Sequence, residues 1–293
     1  MQASVPQGSI LGPVLFLIFF NDVTKNFTNL NDVSLAMFAD DLSAWTASEF
    51  LYSIEKNLQL ACNAIYAWSI LWRTCLSTLK TVVTIFSKKG RARQISIYLG
   101  EELVKYDRNP KFLGITYDQG LTFSKHTEIM CIRARKRIAM IASMKGKKWG
   151  LSRELLLTTY KVLVRSIFDY SGFIILTISN SNLNKLSIVQ NCAIRKATYW
   201  PPSSSTSTML ALTGLTNLYS RSICLTVNYL NKSIAHNELI SSFFEKYIMG
   251  YEVNEGALIK KHRITRKTLL GKIIDLPPSS LNFNKQKVKK GRY

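Results

Sequence analysis

An alternating apolar run stops at two adjacent carboxylates and then resumes. Val33, Leu35, Met37 and Ala39 recur at period two, Asp40 and Asp41 follow, and Leu42, Ala44 and Trp45 come after them. A period of two marks a strand with one face covered. Two such runs meeting at turn-tolerant residues predict a β-hairpin with Asp40 and Asp41 at or beside its turn. Asp tolerates the positive φ that a tight hairpin loop demands. Two carboxylates about 5 Å apart repel by roughly 3 kcal/mol at an effective dielectric near 20. A divalent cation such as Mg2+ removes that conflict, because it takes carboxylate oxygens together with substrate phosphates. Such a hairpin tip suits metal-assisted phosphoryl transfer. The plainer reading of the same residues is an exposed acidic turn.

Charge divides the chain unevenly. Lys plus Arg number 39 against 18 Asp plus Glu, a formal net charge of +21. Residues 1–79 hold three basic and six acidic side chains, net −3, so residues 80–293 hold net +24. The paired Asp lie in the acidic part, as a cation site requires. The remainder favours a polyanionic partner, nucleic acid first and an anionic membrane surface second. A hydrophobic share of 47% in 293 residues excludes wholesale disorder and allows an ordinary core in one or two domains.

The five cysteines, Cys62, Cys75, Cys131, Cys192 and Cys224, are scattered and odd in number. They predict free thiols in a reducing compartment, hence an intracellular protein, nuclear and cytoplasmic. His126, His236 and His262 lie far apart and read as surface or packing residues. The apolar run Val14–Phe20 is far short of the roughly 20 apolar residues of a membrane span, and no basic residue precedes it as in a signal peptide. No membrane partner is therefore expected. With Pro13 at a first helical position, the run predicts a helix that is apolar all round and therefore buried.

Further along, Thr46-Ala47-Ser48-Glu49 fits a capping box. Leu51, Ile54, Leu58, Ala61, Ile65, Trp68 and Trp72 then predict a long helix with one buried stripe. Val82–Phe86, Ile95–Leu99 and Phe112–Tyr117 read as strands. With the hairpin they predict a small antiparallel sheet backed by helices, an α+β arrangement. The basic link 87–93 joins two of the strands. From about Ser124 the pattern turns helical, with helices predicted over 124–144, 153–169, 183–199 and 218–234, and with a polar loop at Ser203–Thr208. The segment 256–293 is rich in Lys and Arg with one acid, Asp275, and predicts a loosely ordered basic tail.

Five ordered landmarks resemble the reverse transcriptases of non-LTR, LINE-type, jockey-like retrotransposons. Pro6-Gln7-Gly8-Ser9 runs into an apolar helix ending at Asn21-Asp22. Ala39-Asp40-Asp41 follows, then Lys80-Thr81, then Phe112-Leu113-Gly114, then Gln190-Asn191 with Arg195. Leu212-Thr213-Gly214-Leu215 continues the likeness, which covers roughly residues 3 to 235.

The resemblance implies part of a right-hand polymerase: a partial palm over 1–120, a helical thumb and connection over 121–245, and a basic tail over 246–293. It implies an RNA-directed DNA polymerase acting on an RNA template, a DNA primer and dNTP, with Mg2+ or alternatively Mn2+ held by Asp40 and Asp41. It places Gln7, Gly8 and Lys80 at the nucleotide and Phe112, Leu113 and Gly114 at a primer grip. The thumb residues Arg133, Arg135, Lys136 and Arg137 would face the nucleic-acid backbone; their plainer reading is a solvated helix face. In the family a further metal-binding Asp lies upstream of the Pro-Gln-Gly-Ser loop, with the fingers. The expectation is therefore weak polymerisation by these residues alone. The alternative function is a non-catalytic nucleic-acid-binding remnant.

Overall fold

The structure is a computed structural model that describes residues 8–27, 30, 32–87, 94–145 and 150–236. The chain divides into two units, Met1–Leu121 and Thr122–Tyr293. Gln7, most of the basic link 87–93 and the whole of the expected tail lie outside the described residues. Helices combine with small strand pairs, so the coarse α+β expectation holds.

In the first unit, helix α1 (Gly12–Asn21) starts with Pro in its first turn, as expected. The expectation that it is buried fails: none of its residues is buried, and Ile18 is 69% exposed. A helix apolar all round needs cover on every side. The described residues supply aromatic cover on one side only, where Phe19 meets Trp68 and Trp72 at ring distances of 5.3 and 5.2 Å. A 3₁₀ turn, Asp22–Phe27, follows. There Lys25 pairs with Asp22 at 2.6 Å and the Trp72 indole N–H donates to its other oxygen at 3.0 Å. Those two donors, Lys25 foremost, hold the Asp22 carboxyl below the usual carboxylate range.

The predicted hairpin is present as β1 (Ser34–Phe38) and β2 (Asp41–Trp45). Helix α2 (Leu51–Leu71) carries the predicted stripe, but no capping box starts it. Ser48 Oγ accepts from the Phe50 N–H at 3.2 Å, one residue before the helix, so its hydroxyl reaches no helical donor.

Leu51, Ile54, Leu58 and Cys62 of α2 pack on a cluster of Ile85, Ile95, Ile97, Leu99 and Val104. Burial there pushes the Cys62 thiol up to about 11. Among the described residues the single antiparallel sheet does not form. Four separate two-stranded pairs take its place: β1 with β2, β3 (Val82–Val83) with β6 (Lys105–Tyr106), β4 (Tyr98–Leu99) with β5 (Glu102–Leu103), and β7 (Lys111–Phe112) with β8 (Ile115–Thr116). The β3–β6 pair is parallel.

A physical reason lies on α2, where Glu55 and Gln59 stand one turn apart. Glu55 accepts from the Ser96 N–H at 3.0 Å; the Gln59 amide accepts from the Tyr98 N–H at 2.8 Å and donates to its carbonyl at 2.9 Å. Side chains thus occupy backbone groups that a neighbouring strand would use. Gly100 sits at φ +64° in the β4–β5 loop, a conformation that favours glycine, and a Cβ there would lie 2.7 Å from the Tyr66 ring, which would have to shift.

The second unit is helical among its described residues: α3 (Ser124–Ser143), α4 (Arg153–Tyr160), a π-helical segment (Lys161–Arg165), α5 (Ser166–Tyr170), α6 (Gly172–Ile175), α7 (Asn180–Thr198), α8 (Thr206–Thr213) and α9 (Leu218–His236). The polar run Ser203–Thr208 is only partly a loop, because α8 begins at Thr206. Gly214 closes α8 in the left-handed conformation. Helices α3 and α7 lie side by side and run the same way. Asn182 donates to Ser124 Oγ at 3.0 Å near their starts, and Lys145 lies 3.8 Å from the Tyr199 ring centre past their ends. Their inner faces bury Met130, Ala134, Ile138 and Ile141 on α3 and Leu186, Val189, Ala193 and Ile194 on α7.

Three polar groups tie this unit together. Arg221 donates twice to Asp169, at 3.3 and 3.0 Å. Arg137 donates to the Leu163 carbonyl inside the π-helical segment, where the regular backbone ladder is broken. His126, expected at the surface or in packing, is buried and shares a 2.9 Å hydrogen bond with Ser171 Oγ.

Burial, aided by the Arg133 charge, holds the His126 imidazole below its ordinary value near 6.5. A histidine held neutral in the fold binds its proton later than the unfolded chain does, so stability falls as pH drops through the unfolded value. Urea unfolding between about pH 7.5 and pH 5 is expected to show this loss. His126→Gln, which keeps a hydrogen-bonding amide near Ser171, is expected to flatten it.

Candidate active site

The hairpin register pairs Phe38 with Asp41 and Met37 with Leu42, so its loop is two residues, Ala39 and Asp40. The positive φ falls on Ala39, at +51°, rather than on either carboxylate residue as expected. A two-residue loop requires a positive φ at its first position in either favoured type, and here the register puts Ala39 there. The left-handed region costs an L-residue roughly 1–2 kcal/mol, and strain of this kind concentrates at functional sites. Asp40 is the second loop residue, and Asp41 is the first residue of β2. Both are exposed, and neither side chain makes a hydrogen bond or ion pair among the described residues.

Two adjacent carboxylates free of protein donors form an acceptor-only set, which suits a hard divalent cation that keeps water and substrate oxygens for its other positions. The donor set therefore fits Mg2+ or Mn2+ in part. No group of three or more His, Cys, Asp or Glu capable of holding a metal occurs among the described residues. Any further ligand would have to come from elsewhere or from substrate.

The other expected site residues stand on separate local structures. Gly8 is exposed, with φ +92° and open space where a Cβ would be, so the backbone there is accessible and demands glycine. Gln7 lies outside the described residues. Lys80 is exposed in a turn after α2, its N–H bonded to the Ser77 carbonyl at 3.2 Å. Phe112, Leu113 and Gly114 do not continue a strand to Tyr117. They form the bend of the β7–β8 hairpin, with Phe112 opposite Ile115 and with Leu113 and Gly114 at φ +46° and +78°. Two positive φ values in a two-residue loop are the signature of a type I′ turn.

In the second unit, Arg133, Arg135 and Lys136 are exposed, whereas Arg137 is half-buried and turned to Leu163. Gln190 and Arg195 are structural. Gln190 donates to the Thr216 carbonyl at 3.1 Å and Arg195 to the Ser204 carbonyl at 3.1 Å, fastening the chain after α7 back onto that helix.

Residues 1–117 match the family model for reverse transcriptase (RNA-dependent DNA polymerase). That segment belongs to the reverse transcriptase family. It contains both hairpins just described. The RNA-directed DNA polymerase from mobile element jockey of Drosophila melanogaster is 28% identical over 201 residues, 67% of this chain and 22% of that protein. The probable RNA-directed DNA polymerase from transposon BS of the same species is 29% identical over 206 residues, 69% of this chain and 23% of that one. A retrovirus-related Pol polyprotein from a type-1 retrotransposable element of Nasonia vitripennis is 26% identical over 153 residues, 50% of this chain and 37% of that one. The chain thus spans less than a quarter of the first two polymerases. No solved structure matches. Among the described residues no helix is long and apolar enough to cross a membrane.

Proposed function

We propose that the chain contributes the metal-binding hairpin, the primer grip and the thumb of a non-LTR retrotransposon reverse transcriptase. In this reading the first unit is a partial palm and the second a thumb with its connection. The single observation that carries the proposal is the exposed Asp40–Asp41 pair at a two-residue hairpin tip inside the family-matched segment. In the reaction a primer 3′-hydroxyl attacks the α-phosphate of a dNTP, forming the new phosphodiester and releasing pyrophosphate. A divalent ion, when bound, supplies the positive charge that this transfer needs.

Asp40 would hold that ion and Asp41 would act as the weaker ligand beside it. Gln7 and Gly8 would shape the nucleotide pocket, with Lys80 near the triphosphate. The I′ turn of Leu113 and Gly114, braced by Phe112, would position the primer end. Arg133, Arg135 and Lys136 would meet phosphates, which hold a duplex without reading its sequence.

Paramagnetic Mn2+ tests the hairpin. Substoichiometric Mn2+ is expected to broaden the backbone amide resonances of Ala39–Leu42 first, and the double variant D40N/D41N is expected to remove that effect. Equal broadening at unrelated acidic residues such as Glu101 and Glu102 would sink the metal assignment. The second reading, a nucleic-acid binder without catalysis, is favoured by the +24 net charge of residues 80–293. It would stand if hybrid binding survived and metal binding did not.

A further inference from the structure

Helix α2 ends in a turn that glycine usually makes. The Arg73 N–H bonds to the Ile70 carbonyl at 3.2 Å and the Thr74 N–H to the Ser69 carbonyl at 2.9 Å, the paired bonds of a left-handed helix cap. The left-handed residue of that cap is Arg73, at φ +51°. A side chain there strains the backbone, and such strain concentrates at functional sites. The guanidinium gains no partner in return. The Arg73 side chain makes no hydrogen bond or ion pair among the described residues.

Arg73 stands on the wall of a cavity of about 450 Å³ between the end of α2, the chain that follows it and β4. That volume lies within the roughly 300–1,000 Å³ of small-molecule sites. Tyr66, Ile70, Leu76 and Leu99 give the cavity its apolar surface, with the Tyr66 ring lodged against Gly100. The polar groups that remain available on this wall are donors. The Trp68, Ser69 and Ile70 carbonyls already accept from the Trp72, Thr74 and Arg73 N–H groups. Thr78 and Tyr66 add hydroxyls that, like the Arg73 guanidinium, make no hydrogen bond among the described residues. Among those residues no carboxylate lines the cavity. One guanidinium and two hydroxyls beside apolar walls suit a single planar anion, because the guanidinium fork meets a carboxylate through two parallel hydrogen bonds. A triphosphate carries more charge than one guanidinium balances.

We infer that this cavity binds a small amphipathic carboxylate, an apolar body with one acidic end that meets Arg73. None of the residues proposed for the metal, the nucleotide or the primer lines it. The inference therefore goes beyond the polymerase reading and stands apart from it. It also accounts for an arginine where the backbone favours glycine: the side chain is kept for the ligand at the expense of the turn.

The test uses the full 293-residue chain and titration calorimetry with phenylbutyrate, against uncharged phenylbutanol as its control. Phenylbutyrate is expected to bind about tenfold tighter than the alcohol or more, the scale of hydrogen bonds to a charged group. Arg73→Gly is expected to cancel that preference while the unfolding temperature holds or rises, because glycine relieves the left-handed turn. Arg73→Lys keeps the charge without the fork and is expected to retain part of the preference. C75W sets an indole at an exposed position on the cavity wall and is expected to weaken both probes. R108Q removes an exposed cation elsewhere in the unit and is expected to change neither.

A parent chain that binds neither probe, or both equally, would overturn the inference. So would a preference that survives in Arg73→Gly or falls as far in R108Q. Displacement of phenylbutyrate from the parent by dTTP would also overturn it and reassign the cavity to nucleotide. The Mn2+ result at the hairpin is independent of all these outcomes, so failure of the cavity and failure of the polymerase reading are distinguishable.

Discussion

Asp40→Ala is expected to lower Mg2+-dependent dNTP incorporation on a primed RNA template by at least about 100-fold, the scale of losing one preorganised electrostatic group. The comparison is with the parent in the same polypeptide, whether the 293-residue chain or a longer protein that contains it. The reason is local. Asp40 occupies the second position of a two-residue loop, exposed and with no protein partner for its carboxylate among the described residues. Removing it therefore breaks no internal bond, and thermal unfolding is expected to be nearly unchanged. Hybrid affinity is also expected to stay within about twofold, because phosphate contacts made elsewhere dominate binding. Asp41→Ala is expected to act in the same direction and less strongly. Incorporation that persists undiminished in Asp40→Ala would remove the metal role from this hairpin, whatever the family likeness.

The largest stability effect is expected at Phe168→Ala, about 3–5 kcal/mol. Phe168 is 1% exposed and lies on α5, directly after the π-helical segment, between Arg165 and Asp169 in the chain. Truncation leaves a cavity that these helices cannot easily close, because Arg137 fixes the π-helical segment and Arg221 clamps Asp169. Urea titration would read the change as a lower midpoint at a similar slope. The neighbouring Asp169→Asn is a useful contrast. Its carboxylate is partly exposed, so solvent screening limits its loss to about 1–2 kcal/mol even with two Arg beside it. A Phe168→Ala effect no larger than that of Asp169→Asn would show that the junction collapses around the missing ring.

The Asp40–Asp41 hairpin was readable from residues alone, because a period of two and a turn fix which residues pair. The helices of the second unit were readable for the same kind of reason: their apolar stripes repeat over many turns. What failed were inferences that needed a partner. The apolar helix α1 was expected to be buried from composition, yet burial depends on what stands around it, and among the described residues only Phe19 and Phe20 of this helix meet aromatic rings outside it. The strands beyond the hairpin were expected to share a sheet, but Glu55 and Gln59 of α2 took up backbone groups at Ser96 and Tyr98. Gln190 and Arg195, read as family landmarks, turned out to fasten a loop.

By itself the sequence determined the elements with strong periodicity, the acidic-then-basic division of charge, and the family to which residues 1–117 belong. Those properties are set by neighbours along the chain. Only the tertiary structure decided that Ala39 rather than an Asp carries the positive φ, that Arg137 faces inward, and that Gln190 and Arg195 fasten the chain after α7. Each of these depends on groups distant in sequence or on the register of a pairing, and local propensity carries no information about either.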